Sequence, residues 1–301
     1  MIAALPVAAA LALAAGETHG RLTASLLAAT GWVSEEFLGA TGGGDALGQL
    51  SPSIRLDVSL APRVKLAADA DASLGRYLDS RFTTTSGAAN GEIRLLLDEL
   101  EVSLVAGGER LVDSEPAPLD PGLVGSPLVT ASSAAVATAR ARLRGGGIVA
   151  GLAATGTLRA SRPGDGGPTV EQQEGIAAFS VDASPHPRLD LSVAIGGRGA
   201  SADRPDFSLR SVLASAALRA RLVGDLSADV AGRWERARRG GGARETGWEA
   251  QAGLAYPLGD AVALALAWSW LFSDSSAPDV SAASRQLILL AVRGRLRTGL
   301  W

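Results

Sequence analysis

The chain has 301 residues, of which 20% are charged, with a net charge of −3, two histidines and no cysteine. This balance excludes a polybasic nucleic-acid binder and an acidic disordered tail, and the lack of cysteine excludes a disulfide framework or a thiolate metal site. The chain is apolar overall, with 37 glycines and a mean hydropathy of +0.20, yet no window reaches the roughly 18 uninterrupted apolar residues that a spanning helix needs. If the chain lies in a membrane, strands must cross it, closed on themselves so that every backbone group finds a partner.

Residues 1–15, MIAALPVAAALALAA, read as a secretory signal peptide: Ile2 to Ala15 is an apolar run of h-region length, and Ala12-Leu13-Ala14 supplies small residues for cleavage. No Lys or Arg precedes the run. The remainder, 16–301, reads as one domain. Its first strand, about Arg21 to Val33, sets Leu22, Ala24, Leu26 and Trp32 against Thr23 and Ser25, an alternation that a strand makes and a helix cannot. A polar loop, Ser34 to Gly48, follows. Strand two sets Ile54, Leu56 and Val58 against Arg55 and Asp57, and the Ala61-Pro62-Arg63 turn leads into strand three, where Lys65, Asp69 and Asp71 share the polar parity. Asp79 to Gly91 again read as loop.

The rhythm continues with Ile93, Leu95 and Leu97 opposite Arg94, a turn at Asp98-Glu99, and Leu100, Val102 and Leu104 opposite Glu101. Leu111 to Pro127 reads as the longest loop, because Pro116, Pro118, Pro121 and Pro127 forbid a central strand. The strand from about Val129 to Arg144 carries Arg140, Arg142 and Arg144 opposite an alanine face. After the Gly145-Gly146-Gly147 turn come Ile148 to Leu158, a polar loop from Ser161 to Glu171, and two strands whose polar faces hold Asp182 and Asp190. A loop with Asp203, Arg204 and Asp206 precedes strand ten, which sets Val212 and Leu218 against Arg219 and Arg221.

The stretch Leu226 to Phe272 shows the alternation three times. Val230 and Trp234 oppose Asp229 and Arg233; after a glycine- and arginine-rich loop, Trp248, Leu254 and Tyr256 oppose Glu249; after the turn Pro257 to Asp260 come Leu264, Leu266, Trp268, Trp270 and Phe272. A final strand sets Ile288, Leu290, Val292 and Leu296 against Arg293, Arg295 and Arg297. About fourteen strands, joined alternately by tight turns and longer loops, predict an all-β fold: a single antiparallel up-and-down transmembrane β-barrel with both termini on the same side.

Fragments such as SPSIRLDVSLAPRVKLAADADASLGRYLDSRF carry this pattern, and from Trp32 onward the chain resembles the general, porin-like class of bacterial outer-membrane β-barrels, in particular the alanine-rich barrels of Gram-negative bacteria. The resemblance implies an outer-membrane location, outer-membrane lipid as surroundings, and recognition of the terminal Trp301 by the barrel-assembly machinery. Trp301 departs from the class in sharing parity with Arg293, Arg295 and Arg297, which implies either a bulge that shifts the register or an unconventional assembly signal. Trp32, Trp234, Trp248, Trp268, Trp270 and Phe272 fall on the lipid-facing parity near the longer-loop rim and Tyr256 at the opposite one, as expected of membrane-interface girdles.

The inventory argues against an enzyme. His19 lies beside the expected cleavage site and His186 between two prolines in a turn, and the triple glycines lack the strand-to-helix context of a phosphate loop, so no cofactor and no metal are expected. The informative face is the inward one. Arg55, Lys65, Arg94, Arg140, Arg142, Arg144, Arg219, Arg221, Arg233, Arg293, Arg295 and Arg297 are the expected basic lining, with Asp57, Asp69, Asp71, Asp190 and Asp229 among fewer acids. A charge on the lipid face near the midplane costs roughly 2–4 kcal/mol, which fixes these residues inward. The resulting expectation is a passive pore for small hydrophilic solutes with a mild anion preference, since cationic linings select anions. The alternatives are a closed structural or interaction barrel and the export pore of a surface polysaccharide system.

Overall fold

The computed structural model describes residues 19–35, 43–78, 80, 82–120, 123, 125–277 and 282–299; the expected signal peptide and Trp301 lie outside them. Fourteen strands follow in chain order: β1 (His19–Glu35), β2 (Gly43–Ala61), β3 (Val64–Tyr77), β4 (Thr83–Leu97), β5 (Leu100–Pro118), β6 (Leu128–Gly145), β7 (Ile148–Pro163), β8 (Val170–His186), β9 (Leu189–Ala202), β10 (Leu209–Arg221), β11 (Ser227–Arg239), β12 (Arg244–Pro257), β13 (Val262–Ser275) and β14 (Ala283–Gly299). Each strand pairs antiparallel with its neighbours in sequence, and β1 closes the barrel against β14. The expected all-β barrel of fourteen strands is the observed one.

The strands run 13 to 19 residues, longer than the roughly 9–11 that cross a membrane. The surplus stands at the longer-loop rim and corrects several expected loops. Gly43–Gly48, Thr83–Gly91 and Leu111–Pro118 are strand, as are the ends of β7, β8, β11 and β12. Glycine and polarity do not stop a strand whose neighbour on each side offers ladder partners. Pro116 is tolerated because the β5–β6 register shifts between Val112 and Ala117, where no ladder donor is required. At the other rim the turns are tight; Gly146 and Gly147 both have positive φ, as a two-residue hairpin of primed type demands.

The inner face is identified by a contact across the curve of the wall. Arg285 of β14 donates to the Tyr77 hydroxyl of β3 at 2.9 Å, past two intervening strands, which only the concave side allows. From these two positions the register carries the inward parity around the whole ring. Leucines such as Leu152 (63% exposed), Leu158 (62%) and Leu296 (72%) occupy the outward parity, an apolar band suited to lipid.

The longer-loop mouth is packed from the inside. In the β5–β6 connection Leu123, 1% exposed, lies inside the barrel against Leu209 and Ala237 of the far wall. A 3-10 turn, Pro205–Phe207, folds inward after β9 and buries Phe207 completely among Val129, Val170 and Leu119. Val129 itself reaches the interior because a register shift between Val129 and Ala131 reverses its parity. Opposite, Val33, Leu47 and Tyr77 pack with Phe82, Leu287 and Leu289.

Candidate functional site: the barrel lumen

All twelve expected basic lining residues, Arg55, Lys65, Arg94, Arg140, Arg142, Arg144, Arg219, Arg221, Arg233, Arg293, Arg295 and Arg297, fall on the inward parity, as do Asp57, Asp69, Asp71, Asp190 and Asp229. The register brings some of them into pairs. Arg55 donates through Nε to both carboxylate oxygens of Asp57 at 3.0 Å, and Arg94 and Arg144 share Glu101 at 3.4 and 2.6 Å. Arg233 reaches Glu235 at 2.6 Å. Lys65, Arg140, Arg142, Arg219, Arg221, Arg293, Arg295 and Arg297 make no ion pair among the described residues.

The alternation held further than the sequence reading carried it, and the extended strands add residues to the lining. Arg198 of β9 is the most heavily engaged: it meets Asp120 of the inward connection at 2.8 Å, Glu174 of β8 at 3.0 Å and Glu235 of β11 at 3.8 Å. Arg239 donates to Glu245 at 2.9 Å in a pair with only 5% and 1% of the two side chains exposed, and its Nη1 donates to the Asp206 carbonyl at 3.2 Å. Arg159 and Glu109 meet at 2.8 Å. With Glu92, Glu109, Asp113, Glu174 and Glu245 also inward, the acids are more numerous than the sequence reading counted. The lumen as a whole is near charge balance. What remains is local, a set of unpaired cations toward the tight-turn rim.

Two neighbouring cavities there collect the unpaired charge. One of about 320 Å³ is lined by Arg21, Thr23, Ser25, Ser53, Arg55, Asp57, Arg295 and Arg297. The other, about 550 Å³, adds His19, Lys65, Glu92 and Arg94. Three strands assemble the smaller one row by row: Arg295 faces Ser25, which faces Ser53, and Arg297 faces Thr23, which faces Arg55. Asp57 is its single carboxylate and is already engaged by Arg55. His19, expected to lie apart from any site, lines the larger cavity; His186 accepts a bond from the Arg188 amide in its turn, 3.2 Å away. Among the described residues, no group of three or more His, Asp or Glu is placed to hold a metal ion.

In comparisons with solved structures, the whole wall aligns with bacterial porins and channels. The monoaromatic hydrocarbon channel CymD superposes with a TM-score of 0.56 at 9% identity, over 95% of this chain and 91% of that one. The fold is that of the bacterial outer-membrane β-barrels. An anion-selective porin from Comamonas acidovorans aligns at TM-score 0.53 and 9% identity, over 93% of this chain and 100% of that one. A loop-deletion mutant of OmpT, an outer membrane protein of Vibrio cholerae, gives 0.54 and 8%, over 93% and 99%. No family model and none of the curated proteins matches the sequence. At these identities the likeness is one of fold, and the closed wall with its apolar outer band places the chain in the bacterial outer membrane.

The aromatic residues expected at the interfaces occupy the outward parity. Trp234 and Trp248 lie in one row with ring centroids 6.3 Å apart, Trp248 faces Phe272, and Trp268 faces Ile288, which faces Trp32. Trp270 stacks on Phe272 at 6.0 Å, and Tyr256 stands near the tight-turn end of β12. These rings form an arc over β11 to β14 and β1. Outward charge is the feature that sequence reasoning missed. Arg76, Arg110, Arg162, Arg210, Arg236, Arg238 and Arg244 take the outward parity in the strand segments near the longer-loop rim. Arg236, Arg238 and Arg244 lay in what read as loop, so no parity had been assigned to them.

Proposed function

We propose that this chain is a passive outer-membrane pore for small hydrophilic solutes, with an anion preference set at its tight-turn end. The observation that carries the reading is the cavity of about 320 Å³, in which Arg21, Arg295 and Arg297 are unpaired among the described residues and Asp57 is the only acid. Guanidinium groups stay charged at any physiological pH, and in a confined wall their field raises the local concentration of anions. Leu123 and Phe207 narrow the other end, so that solute size is tested before charge.

Single-channel conductance of the refolded protein in a planar bilayer, followed by reversal potentials in a salt gradient, tests this reading. Stable steps with anions as the preferred carriers are expected. Cation preference or no selectivity would remove the anion claim. A folded barrel without conductance, with folding checked by heat-modifiable gel migration, would favour a closed scaffold barrel. That second reading has its own support, since Leu123 and Phe207 fill the mouth much as core residues fill a soluble domain.

A further inference from the structure

On the outer wall, the register places Arg210 of β10 directly opposite Arg238 of β11, and Arg238 directly opposite Arg244 of β12. Arg236, two residues below Arg238 on the same face, stands opposite Val212 on one side and Thr246 on the other. Three arginines therefore share one lateral row across three strands, with a fourth beneath. All four are exposed, and none makes an ion pair among the described residues. Asp274, the acid closest in register, faces Thr246 and pairs with none of them.

Directly opposed side chains in a sheet sit about 4.5–5.5 Å apart at Cβ, and like charges at that distance repel. Inside this barrel, at the same longer-loop end, arginines are neutralised: Arg198, Arg239 and Arg159 each have a carboxylate within reach. In the outward row no carboxylate among the described residues does so. Two rows further into the membrane, directly below the row of Arg236, stand Trp234 and Trp248, opposite each other and tilted ring to ring, with Phe272 completing their row. Amphipathic rings settle at the level of lipid headgroups, and below them the wall is apolar, with Val230 and Leu254 outward. The arginine row thus stands at headgroup height on the longer-loop, outer-leaflet side.

We propose that Arg210, Arg238 and Arg244, supported by Arg236, form a binding site for the phosphate group of an outer-leaflet lipid whose acyl chains lie against the Trp234–Trp248–Phe272 shelf. Guanidinium groups present forked donors that match phosphate oxygens, and a row of three can bridge one phosphate or two neighbouring ones. The aromatic shelf commits the site to a lipid over a dissolved anion, because it supplies apolar surface where the lipid's chains begin. The site is independent of whether the lumen conducts.

Native mass spectrometry of the refolded barrel in zwitterionic detergent tests it, with phosphatidic acid, phosphatidylcholine and inorganic phosphate as probes. Phosphatidic acid is expected to remain bound where phosphatidylcholine does not. The variant Arg210→Gln/Arg238→Gln/Arg244→Gln should lose that retention at least tenfold, whereas Arg76→Gln/Arg110→Gln/Arg162→Gln, which removes equal outward charge from the same rim, should keep it. Equal retention of both lipids, equal loss in both variants, or full displacement by millimolar inorganic phosphate would overturn the proposal. If the triple variant fails to refold, Arg238→Gln alone gives a readout with a change of sign. Its urea midpoint should rise without anionic lipid, where a repulsion is removed, and fall relative to the parent protein when phosphatidic acid is present. A midpoint that shifts the same way in both conditions would also overturn it.

Discussion

Single residues in this barrel divide by whether their charge is answered. Arg239 and Glu245 are buried and joined by two bonds from Nε, at 2.9 and 3.1 Å, so removing one leaves the other as a buried uncompensated charge. Arg239→Ala should lower stability by about 3–5 kcal/mol in urea unfolding of the lipid-embedded protein. An unchanged midpoint would mean that water already reaches Glu245. Asp165, in the β7–β8 connection, is a case outside the membrane: the Gly167 amide first, and Arg204 second, hold its carboxyl below the ordinary carboxylate range. A depressed folded pKa means that the link is fully present above the ordinary value of about 3.9 and is lost only as pH falls through the lower folded value. A carboxyl NMR titration should therefore show no change in Asp165 between pH 8 and 5 and a midpoint below 3.9. In Arg204→Gln the midpoint should rise only part of the way, since the Gly167 bond remains. Neither pair was legible in the sequence, because both join segments that read as loop and that the fold alone brings together.

At the scale of elements, the two-residue period carried nearly everything. Inward and outward parity on β2, β3 and β14 came from the placement of Ile, Leu and Val against Arg, Lys and Asp, and on β6 from arginine against alanine, and the ladder pairs agree with it. The least regular strand by sequence, β6, offers the sharpest test. Ala137 faces outward between Ala106 and Gly156, while its neighbour Val136 faces inward. Ala137→Arg should destabilise the barrel by about 2–4 kcal/mol, and Val136→Arg by much less, in unfolding from lipid vesicles. Reversed penalties would mean that the strand sits one residue out of this register, since such a slip exchanges every face. Strand ends were less legible. Leu111 to Pro118 contains two prolines and reads as loop, yet β4 and β6 on either side hold it in the wall, with the ladder interrupted only where the β5–β6 register shifts.

For the whole molecule the decisive feature is the inward position of Asp120 and Leu123 in the β5–β6 connection. Asp120 ties this connection to Arg198 at 2.8 Å, and Leu123 wedges against the opposite wall. Asp120→Ala should free the connection while Arg198 keeps Glu174 as a partner, so the barrel should still fold, at a cost of about 1–3 kcal/mol. Single-channel conductance should rise. If conductance is unchanged, the constriction lies elsewhere, at the Pro205–Phe207 turn or among Val33, Leu47 and Tyr77. The charge of the lumen also belongs to this scale, because closure into a ring is what collects Arg21, Arg295 and Arg297 from the two ends of the chain around one cavity.

The sequence by itself determined the fourteen-strand wall, its two faces and its alternating rims. Each of these is a local consequence of alternating side chains and of turn residues within a few positions of one another. Tertiary structure decided which charges are neutralised, which connections turn inward and which arginines meet on the outside. Those outcomes depend on distances between residues far apart in sequence, such as Asp120 and Arg198, or Arg210 and Arg244, and on a closed register that no local pattern encodes.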